Sequence, residues 1–197
     1  MPPISGAARA STNVLETRRL GLDGLIEIRP PRFGDQRGFF SEVWRADRMA
    51  ETGIDTRFVQ DNHSFSSARG VLRGLHLQLP PAAQDKLVRV TRGSIFDVAV
   101  DVRKDSPTFG QWAGLVLSAA EWNQLFVPRG FAHGFVTLEE NCEVLYKASA
   151  FYTPHLERAV RFDDPAIGIE WPIDKAEVIV SDKDRAAPLL SHLEAEL

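Results

Sequence analysis

Apolar and polar residues alternate along most of the chain after residue 58, a pattern typical of half-buried β-strands. Residues 86–102 contain two such runs on either side of Arg92-Gly93-Ser94, which predicts two strands joined by a tight turn. Many short strands at regular spacing favour an all-β barrel or sandwich with small helices at its ends. The other strands are predicted at residues 58–64, 112–117, 124–136, 142–152 and 178–180.

The helices that the pattern predicts are short and lie at the margins of the strands. Residues 41–50 have a helical pattern, with Ser41 as the N-terminal cap and Gly53 just after the end. Ser118-Ala-Ala-Glu121 fits a capping box, which predicts a very short helix. Residues 188–197 have the spacing of an amphipathic helix.

The first forty residues divide into a tail, an apolar segment and a turn. Residues 1–12 lack the apolar segment of a secretory signal, and we interpret them as a flexible tail. The first structured segment is predicted at residues 20–28, and residues 34–38 have the composition of a turn. Phe39 and Phe40 are predicted to begin a new buried segment.

Composition and charge narrow the classes of function. With 197 residues, 44% of them hydrophobic, the chain is long enough to bury a sizeable core. A net charge of −4 argues against nucleic-acid binding, so cations for an anionic substrate must be gathered locally. No segment approaches the ~20 apolar residues of a membrane span. Cys142 is the single cysteine, which excludes an intrachain disulfide and indicates a cytoplasmic protein.

Candidate chemistry is concentrated between residues 69 and 86. Arg73, His76 and Lys86 combine a base that titrates near neutral pH with cations for a phosphate or a developing oxyanion. A buried histidine beside a solvated arginine is the structural alternative. In a regular strand Arg73 and His76 would point to opposite faces, and Gly74 between them could permit a β-bulge that re-aims one of them.

A second motif contains a histidine in a different context. Pro128-Arg-Gly-Phe-Ala-His133 matches the Pro-x-Gly-x-x-His signature of cupin barrels, which are jelly rolls. In metal-binding cupins this histidine joins a His-x-His pair, but here the earlier element is His76-Leu77-Gln78. A divalent metal site needs three or four protein ligands. We therefore expect a cupin-type jelly-roll barrel that binds no metal.

Six motifs then occur in a fixed order, and together they make the resemblance specific. The chain resembles the dTDP-4-dehydrorhamnose 3,5-epimerase family, cupin-fold enzymes that act on sugar nucleotides. The resemblance runs from about residue 13 to residue 188 and implies one cupin-like epimerase domain over residues 13–197. The motifs are Phe33-Gly-Asp-Gln-Arg-Gly-Phe-Phe40, Gln60-Asp-Asn-His-Ser64, Val71-Leu-Arg-Gly-Leu-His76, Lys86-Leu-Val-Arg-Val90, Pro128-Arg-Gly-Phe-Ala-His-Gly-Phe135 and Phe162-Asp-Asp-Pro165.

The resemblance implies a reaction without cofactors on a dTDP-linked 4-keto-6-deoxyhexose. His76 would remove the protons at C3 and C5, which the C4 ketone makes acidic. Lys86 and Arg73 would stabilise the resulting enolate oxygen. Tyr146 would return a proton to the opposite face of the sugar. Tyr146 and Tyr152, an even number of residues apart in one predicted strand, are expected to face the same interior.

The resemblance also implies an orienting carboxylate, a set of binding residues and a partner subunit. Asp184 is expected to orient His76, with nearby Asp182 as the alternative. A homodimer is implied in which N-terminal segments are exchanged, so that residues of one subunit reach the pocket of the other. The implied substrate-binding residues are Arg37, Glu42, Gln60, Asp61, Asn62, Arg73, Lys86, His133, Tyr152 and Glu157.

Three departures from the family pattern leave alternatives open. Leu77 follows His76 where an aromatic residue is common, Asp85 replaces a usual glycine, and Phe151 stands where a tyrosine often precedes Tyr152. An epimerase that inverts only one carbon is one alternative. The other is a cupin that binds a nucleotide sugar without turning it over, although binding alone needs no base, acid and oxyanion lysine.

Overall fold

Two antiparallel sheets contain most of the strands in the computed structural model, which describes residues 14–196. The strands are β1 (Glu16–Arg19), β2 (Ile26–Arg29), β3 (Phe33–Asp35), β4 (Gly38–Phe40), β5 (Gln60–Ser66), β6 (Val71–Gln78), β7 (Lys86–Arg92), β8 (Ser94–Asp101), β9 (Trp112–Ser118), β10 (Gln124–Val127), β11 (Phe131–Thr137), β12 (Cys142–Ala148), β13 (Glu157–Ala159) and β14 (Ile179–Val180).

The helices are short, as the pattern predicted. They are α1 (Ala46–Glu51), α2 (Asp182–Arg185) and α3 (Leu190–Leu193), with 3-10 turns at Pro154–Leu156, Lys175–Glu177 and Glu194–Glu196. No helix among residues 14–196 has the length and apolar character that crossing a membrane requires.

The strand order places the two sheets of a jelly roll against each other. The first sheet has the order β1-β2-β10-β7-β12-β5, and the second has the order β13-β6-β11-β8-β9 with β14 parallel to β6. Alternate side chains of both sheets meet in one apolar core, where Val88 and Val144 of the first pack with Ile95 and Phe135 of the second. The all-β, cupin-type architecture predicted from the sequence is confirmed.

Near the N-terminus, one strand boundary and one burial prediction differ from the structure. β1 begins at Glu16, before the predicted segment at residues 20–28. The predicted tail, residues 1–12, lies outside the described residues. Phe39 and Phe40 were predicted to be buried, which is wrong for this chain, because their side chains are 53% and 69% exposed. Phe39 instead packs edge-on against Trp122, with ring centroids 4.8 Å apart.

The predicted helix at residues 41–50 begins later than expected, at Ala46. Ser41 is not its cap, because the Ser41 hydroxyl donates to the Pro31 carbonyl at 2.7 Å and accepts from the Trp122 indole at 2.9 Å. The predicted end is confirmed, since the helix stops at Glu51 and Gly53 has φ 90°.

Two other helices are shorter than predicted or do not form. Ser118 accepts a hydrogen bond from the Glu121 N–H at 3.0 Å, as a cap should, yet the segment is a turn. The helix does not continue because Trp122 has φ 59°, a left-handed conformation. Toward the C-terminus, the predicted helix at residues 188–197 is reduced to α3 and the 3-10 turn that follows it.

The long runs at residues 124–136 and 142–152 are also divided. The first becomes β10 and β11, because Pro128 and the turn after it carry the chain from the first sheet to the second. The second ends at Ala148, so Tyr152 lies beyond the strand. The prediction that Tyr146 and Tyr152 face one interior was therefore wrong: Tyr146 packs against the core and Tyr152 is exposed.

Candidate active site

A β-bulge in β6 brings Arg73 and His76 to the same side of the strand. His133 of β11 pairs with His76, but Phe135, two residues later, pairs with Arg73, so β6 contains one extra residue. Gly74 makes this possible, because a Cβ at that position would lie 2.5 Å from the Gly134 Cα. The bulge considered from the sequence is therefore present.

Six of the predicted site residues line one cavity of about 520 Å³ between the two sheets. Lys86 and Tyr146 come from β7 and β12 of the first sheet. The second sheet and the segment after β14 contribute the rest. The six residues are Arg73, His76, Lys86, His133, Tyr146 and Asp184.

His76 and Asp184 form a hydrogen-bonded pair at one wall of this cavity. His76 Nε2 lies 2.7 Å from Asp184 Oδ1, and the Gly74 N–H donates to Oδ2 at 3.2 Å. Burial alone would raise the pKa of Asp184, but these bonds and the nearby imidazole hold it below its usual value. A carboxylate here makes Nε2 the protonated nitrogen, so Nδ1 is the nitrogen that can accept a proton.

The position of Asp184 is set by a short local structure. β14 pairs in parallel with β6, and Ser181 then caps α2 by accepting the Asp184 N–H at 3.1 Å. Asp184 is buried at the end of this segment, whereas Asp182 is exposed. Of the two aspartates considered from the sequence, Asp184 is thus the one that contacts His76.

Lys86 is a buried cation in the wall of the cavity. Burial lowers the pKa of the Lys86 ammonium to about 8, although the carboxylates of Asp97 and Glu157 partly oppose this. Its Nζ donates to the His76 carbonyl at 3.4 Å. An ammonium held away from water stabilises negative charge on a nearby oxygen strongly.

Tyr146 lies on the sheet that faces His76. Burial raises the pKa of the Tyr146 phenol above its ordinary value; Arg73 acts against this shift and Glu157 adds to it. The phenol is therefore protonated at neutral pH and available as a donor. The cavity thus has an imidazole on one side and a phenol on the other.

His133 is a buried residue of the same cavity, and it contacts a carboxylate that the sequence did not suggest. His133 Nε2 lies 2.8 Å from Asp97 Oδ1, and Asp97 is fully buried. The other oxygen, Oδ2, has no hydrogen-bond partner among the described residues. Asp97 was missed because it lies in an alternating apolar strand, where one acidic residue has no distinctive pattern.

Lys183 is a second residue that sequence reasoning missed. It lines the cavity and its ammonium lies 2.5 Å from Glu157 Oε2, to which the Tyr152 hydroxyl also donates at 3.0 Å. Burial would raise the pKa of Glu157, but these two donors hold it below its usual value. The signal was its place beside Asp184 in the Ser-Asp-Lys-Asp element.

Some predicted binding residues lie away from the cavity. Arg37 pairs with Asp35 in the exposed β3–β4 hairpin, and Glu42 lies 3.8 Å from Arg45. Asp61 pairs with Lys147 at 2.9 Å. The Gln60 side chain donates a hydrogen bond to Asn62 at 3.0 Å and accepts one from the Tyr152 N–H at 2.9 Å.

Acidic, histidine and cysteine side chains do not gather into a metal-binding group of three or more within residues 14–196. The two histidines of the cavity each contact a single carboxylate, Asp184 or Asp97.

The model of the family described as dTDP-4-dehydrorhamnose 3,5-epimerase matches residues 19–192. The protein of that name from Salmonella typhimurium is 51% identical over 173 residues, which span 87% of this chain and 93% of that protein.

Solved structures are similar over nearly the whole chain. A 3,5-epimerase from Legionella pneumophila, in complex with dTDP-4-keto-L-rhamnose, has a TM-score of 0.88 and 46% identity, covering 92% of this chain and 96% of its own. A 3′-monoepimerase from Streptomyces bikiniensis, in complex with dTDP-quinovose, has a TM-score of 0.82 and 35% identity, covering 90% and 89%.

Proposed function

The chain belongs to the dTDP-4-dehydrorhamnose 3,5-epimerase family, and we propose that it converts dTDP-4-dehydro-6-deoxyglucose into dTDP-4-dehydro-L-rhamnose by inverting C3 and C5. The observation that supports the mechanism is that His76 and Tyr146 lie on facing sheets and line one cavity with Lys86, which is on the strand next to that of Tyr146. Inversion needs a proton removed from one face of a carbon and another delivered to the opposite face.

His76 is the base in this mechanism. Its Nε2–H is held by Asp184, so Nδ1 takes the proton from C3 or C5. The carboxylate of Asp184 then lies 2.7 Å from the imidazolium that forms, and it stabilises that charge. The electron pair of the broken C–H bond moves toward C4 and gives an enolate.

Lys86 and Arg73 stabilise the enolate oxygen. The Lys86 ammonium is buried and lies next to the His76 main chain, so base and cation act at one end of the cavity. Arg73 adds a second positive charge from the bulged part of β6. No metal or cofactor has a step in this scheme, because side-chain cations balance the negative charge.

Tyr146 completes the reaction as the acid. It donates its phenolic proton to the carbon on the face opposite His76 and re-forms the ketone at C4. His76 then releases its proton to solvent and Tyr146 regains one from solvent, so both groups are reset. The same cycle at the second carbon gives the doubly inverted sugar.

The experiment that tests this proposal is NMR of the 4-keto substrate with the enzyme in deuterated water. Deuterium at both C3 and C5 with inversion of both supports the proposal. Label at one carbon would instead assign the single-carbon activity, which the similarity to a 3′-monoepimerase makes the second candidate. Absence of label would indicate a binding protein.

The pH dependence tests the role of Lys86. Because the pKa of Lys86 is about 8 and the charged form is the one that works, activity is present below that pH and lost above it. We expect kcat/KM to fall about tenfold for each pH unit above the pKa of Lys86. The Lys86→Met variant should retain weak activity, and its kcat/KM should not show this fall at high pH. A wild-type profile that stays flat to pH 10 would contradict the role.

A homodimer belongs to the same proposal. The β3–β4 hairpin exposes Phe39 and Phe40, which supports its burial against a second copy of the chain, where Arg37 and Glu42 would reach the partner's cavity. Light scattering should give about twice 21.9 kDa. Replacing both phenylalanines with serine should shift the mass toward the monomer and lower activity. A fully active monomer of wild-type sequence would refute the dimer.

We also place the reaction in the cytoplasm, where a lone buried thiol such as that of Cys142 stays reduced.

A further inference from the structure

Asp85 and Arg129 form a close ion pair beside the first residue of β7. The Asp85 carboxylate accepts hydrogen bonds from the Arg129 main-chain N–H at 2.8 Å, from Nε at 3.3 Å and from Nη2 at 2.7 Å. Asp85 is 5% exposed, whereas the Arg129 side chain is 64% exposed. Burial would raise the pKa of Asp85, but Arg129 holds it below its usual value, so the pair is charged.

The main chain of Asp85 is held as well. Its N–H donates to the Ser149 hydroxyl at 2.7 Å, and its carbonyl accepts the Ser149 N–H at 3.0 Å. Asp85 therefore joins the end of the loop before β7 to the β10–β11 turn and to the residue after β12. A glycine at position 85, usual in the family pattern, has no carboxylate for the first of these attachments.

Lys86 is the residue that depends on this attachment. Within residues 14–196 its ammonium has one hydrogen bond, the 3.4 Å contact with the His76 carbonyl, and no carboxylate within ion-pair distance. With few polar contacts of its own, the Lys86 ammonium depends for its position on the main chain of residue 86 and on the groups that bury the side chain. That main chain pairs with Val127 and Ala148, the residues just before the two segments that Asp85 holds.

We propose that Asp85 and Arg129 are a positioning pair that holds the Lys86 ammonium where negative charge develops on the substrate. The pair acts through the main chain and does not touch the substrate. The inference rests on the proposed role of Lys86 in the epimerase reaction. A catalytic group displaced by about 1 Å can lose as much as a hundredfold in rate, so a partial loosening has a measurable effect.

The test is a double-mutant cycle with Asp85→Asn, Arg129→Gln and the double variant. We expect each single variant to lower kcat about tenfold with KM within about twofold, because Lys86 acts on the enolate and not on ground-state binding. The double variant should be no slower than the slower single variant, since either change releases the same attachment. Arg129→Lys, which keeps the charge but loses the fork, should be intermediate.

Arg161→Gln is the matched control. Arg161 forms the same kind of two-point pair with Asp163, at 2.9 and 3.1 Å, but in a turn outside the cavity. Its loss should leave kcat unchanged. If Asp85 and Arg129 had a purely structural role, their variants would have a lower melting temperature, but kcat of the folded enzyme would stay at the wild-type value.

A second measurement does not depend on turnover. The Lys86 side chain can be followed by NMR in lysine-labelled protein and assigned by its absence in Lys86→Met. The titration midpoint of the Lys86 ammonium should move toward that of an ordinary lysine in both single variants, because the lysine becomes less buried. Asp97 and Glu157, the carboxylates that act on Lys86, are unchanged in these variants. If wild-type protein fails to turn over, the epimerase proposal fails while this titration still decides the positioning. Unchanged kcat with an unchanged Lys86 titration would overturn the inference.

Discussion

Replacing His76 with asparagine should abolish both deuterium exchange and inversion at C3 and C5. Asparagine keeps a side-chain donor toward Asp184, so the contact at 2.7 Å has a replacement and the fold should persist. What is lost is the nitrogen that we propose accepts the substrate proton. A positioned general base contributes roughly 10²–10⁴-fold, and we expect a fall in kcat within that range.

The measurement is NMR of the 4-keto sugar in deuterated water, with inversion and label followed on the same sample. His192→Asn is the matched control, because His192 is an exposed histidine on α3 and lines no part of the cavity. It should exchange and invert at the wild-type rate. If His76→Asn still incorporates deuterium at a near-normal rate, another group is the base.

Replacing Tyr146 with phenylalanine should separate exchange from inversion. The change removes one hydroxyl from a half-buried side chain, so packing against Val88 and the rest of the core is kept. His76 still forms the enolate, and Lys86 still stabilises it. With no donor on the opposite face, a proton returns from His76 to the face that was deprotonated, and the configuration is unchanged. Deuterium enters because the His76 imidazolium exchanges its proton with the deuterated water before it returns one.

We therefore expect label to enter C3 or C5 at a rate near that of the wild type, while inverted product falls roughly 10²–10⁴-fold. Tyr152→Phe is the informative comparison, since Tyr152 is the remaining tyrosine and its hydroxyl is bonded to Glu157. Should Tyr152→Phe separate exchange from inversion and Tyr146→Phe leave both intact, the acid would be Tyr152.

The two experiments are connected by the geometry of the cavity. The proposed base and acid, His76 and Tyr146, are on facing sheets, so each variant should disable one face of the sugar and leave the other in place. A binding protein would show neither effect, because no proton would move in any variant. The pair of variants therefore tests the reaction class as well as the two roles.

Much of the architecture could be predicted from local pattern. The period-two alternation around the Arg92-Gly93-Ser94 turn identified β7 and β8, which follow each other in the chain but belong to different sheets. Alternation is visible in the residue types of each strand by itself, because successive side chains point to opposite faces of the sheet. The errors arose where one local feature was compatible with two different structures. Ser41 has the chemistry of a cap, but its hydroxyl bonds Pro31 and Trp122 instead.

By itself, then, the sequence determined the all-β class, the family resemblance and the identity of His76, Lys86 and Tyr146 as candidate groups, because each depends on residue type and order. The tertiary structure decided which of these groups meet. The bulge at Gly74 depends on the approach of Gly134, sixty residues away, and the choice of Asp184 depends on β14 pairing with β6. Contacts between residues distant in sequence leave no periodic pattern, so only the packed chain brings Asp184, His76 and Lys86 into one cavity.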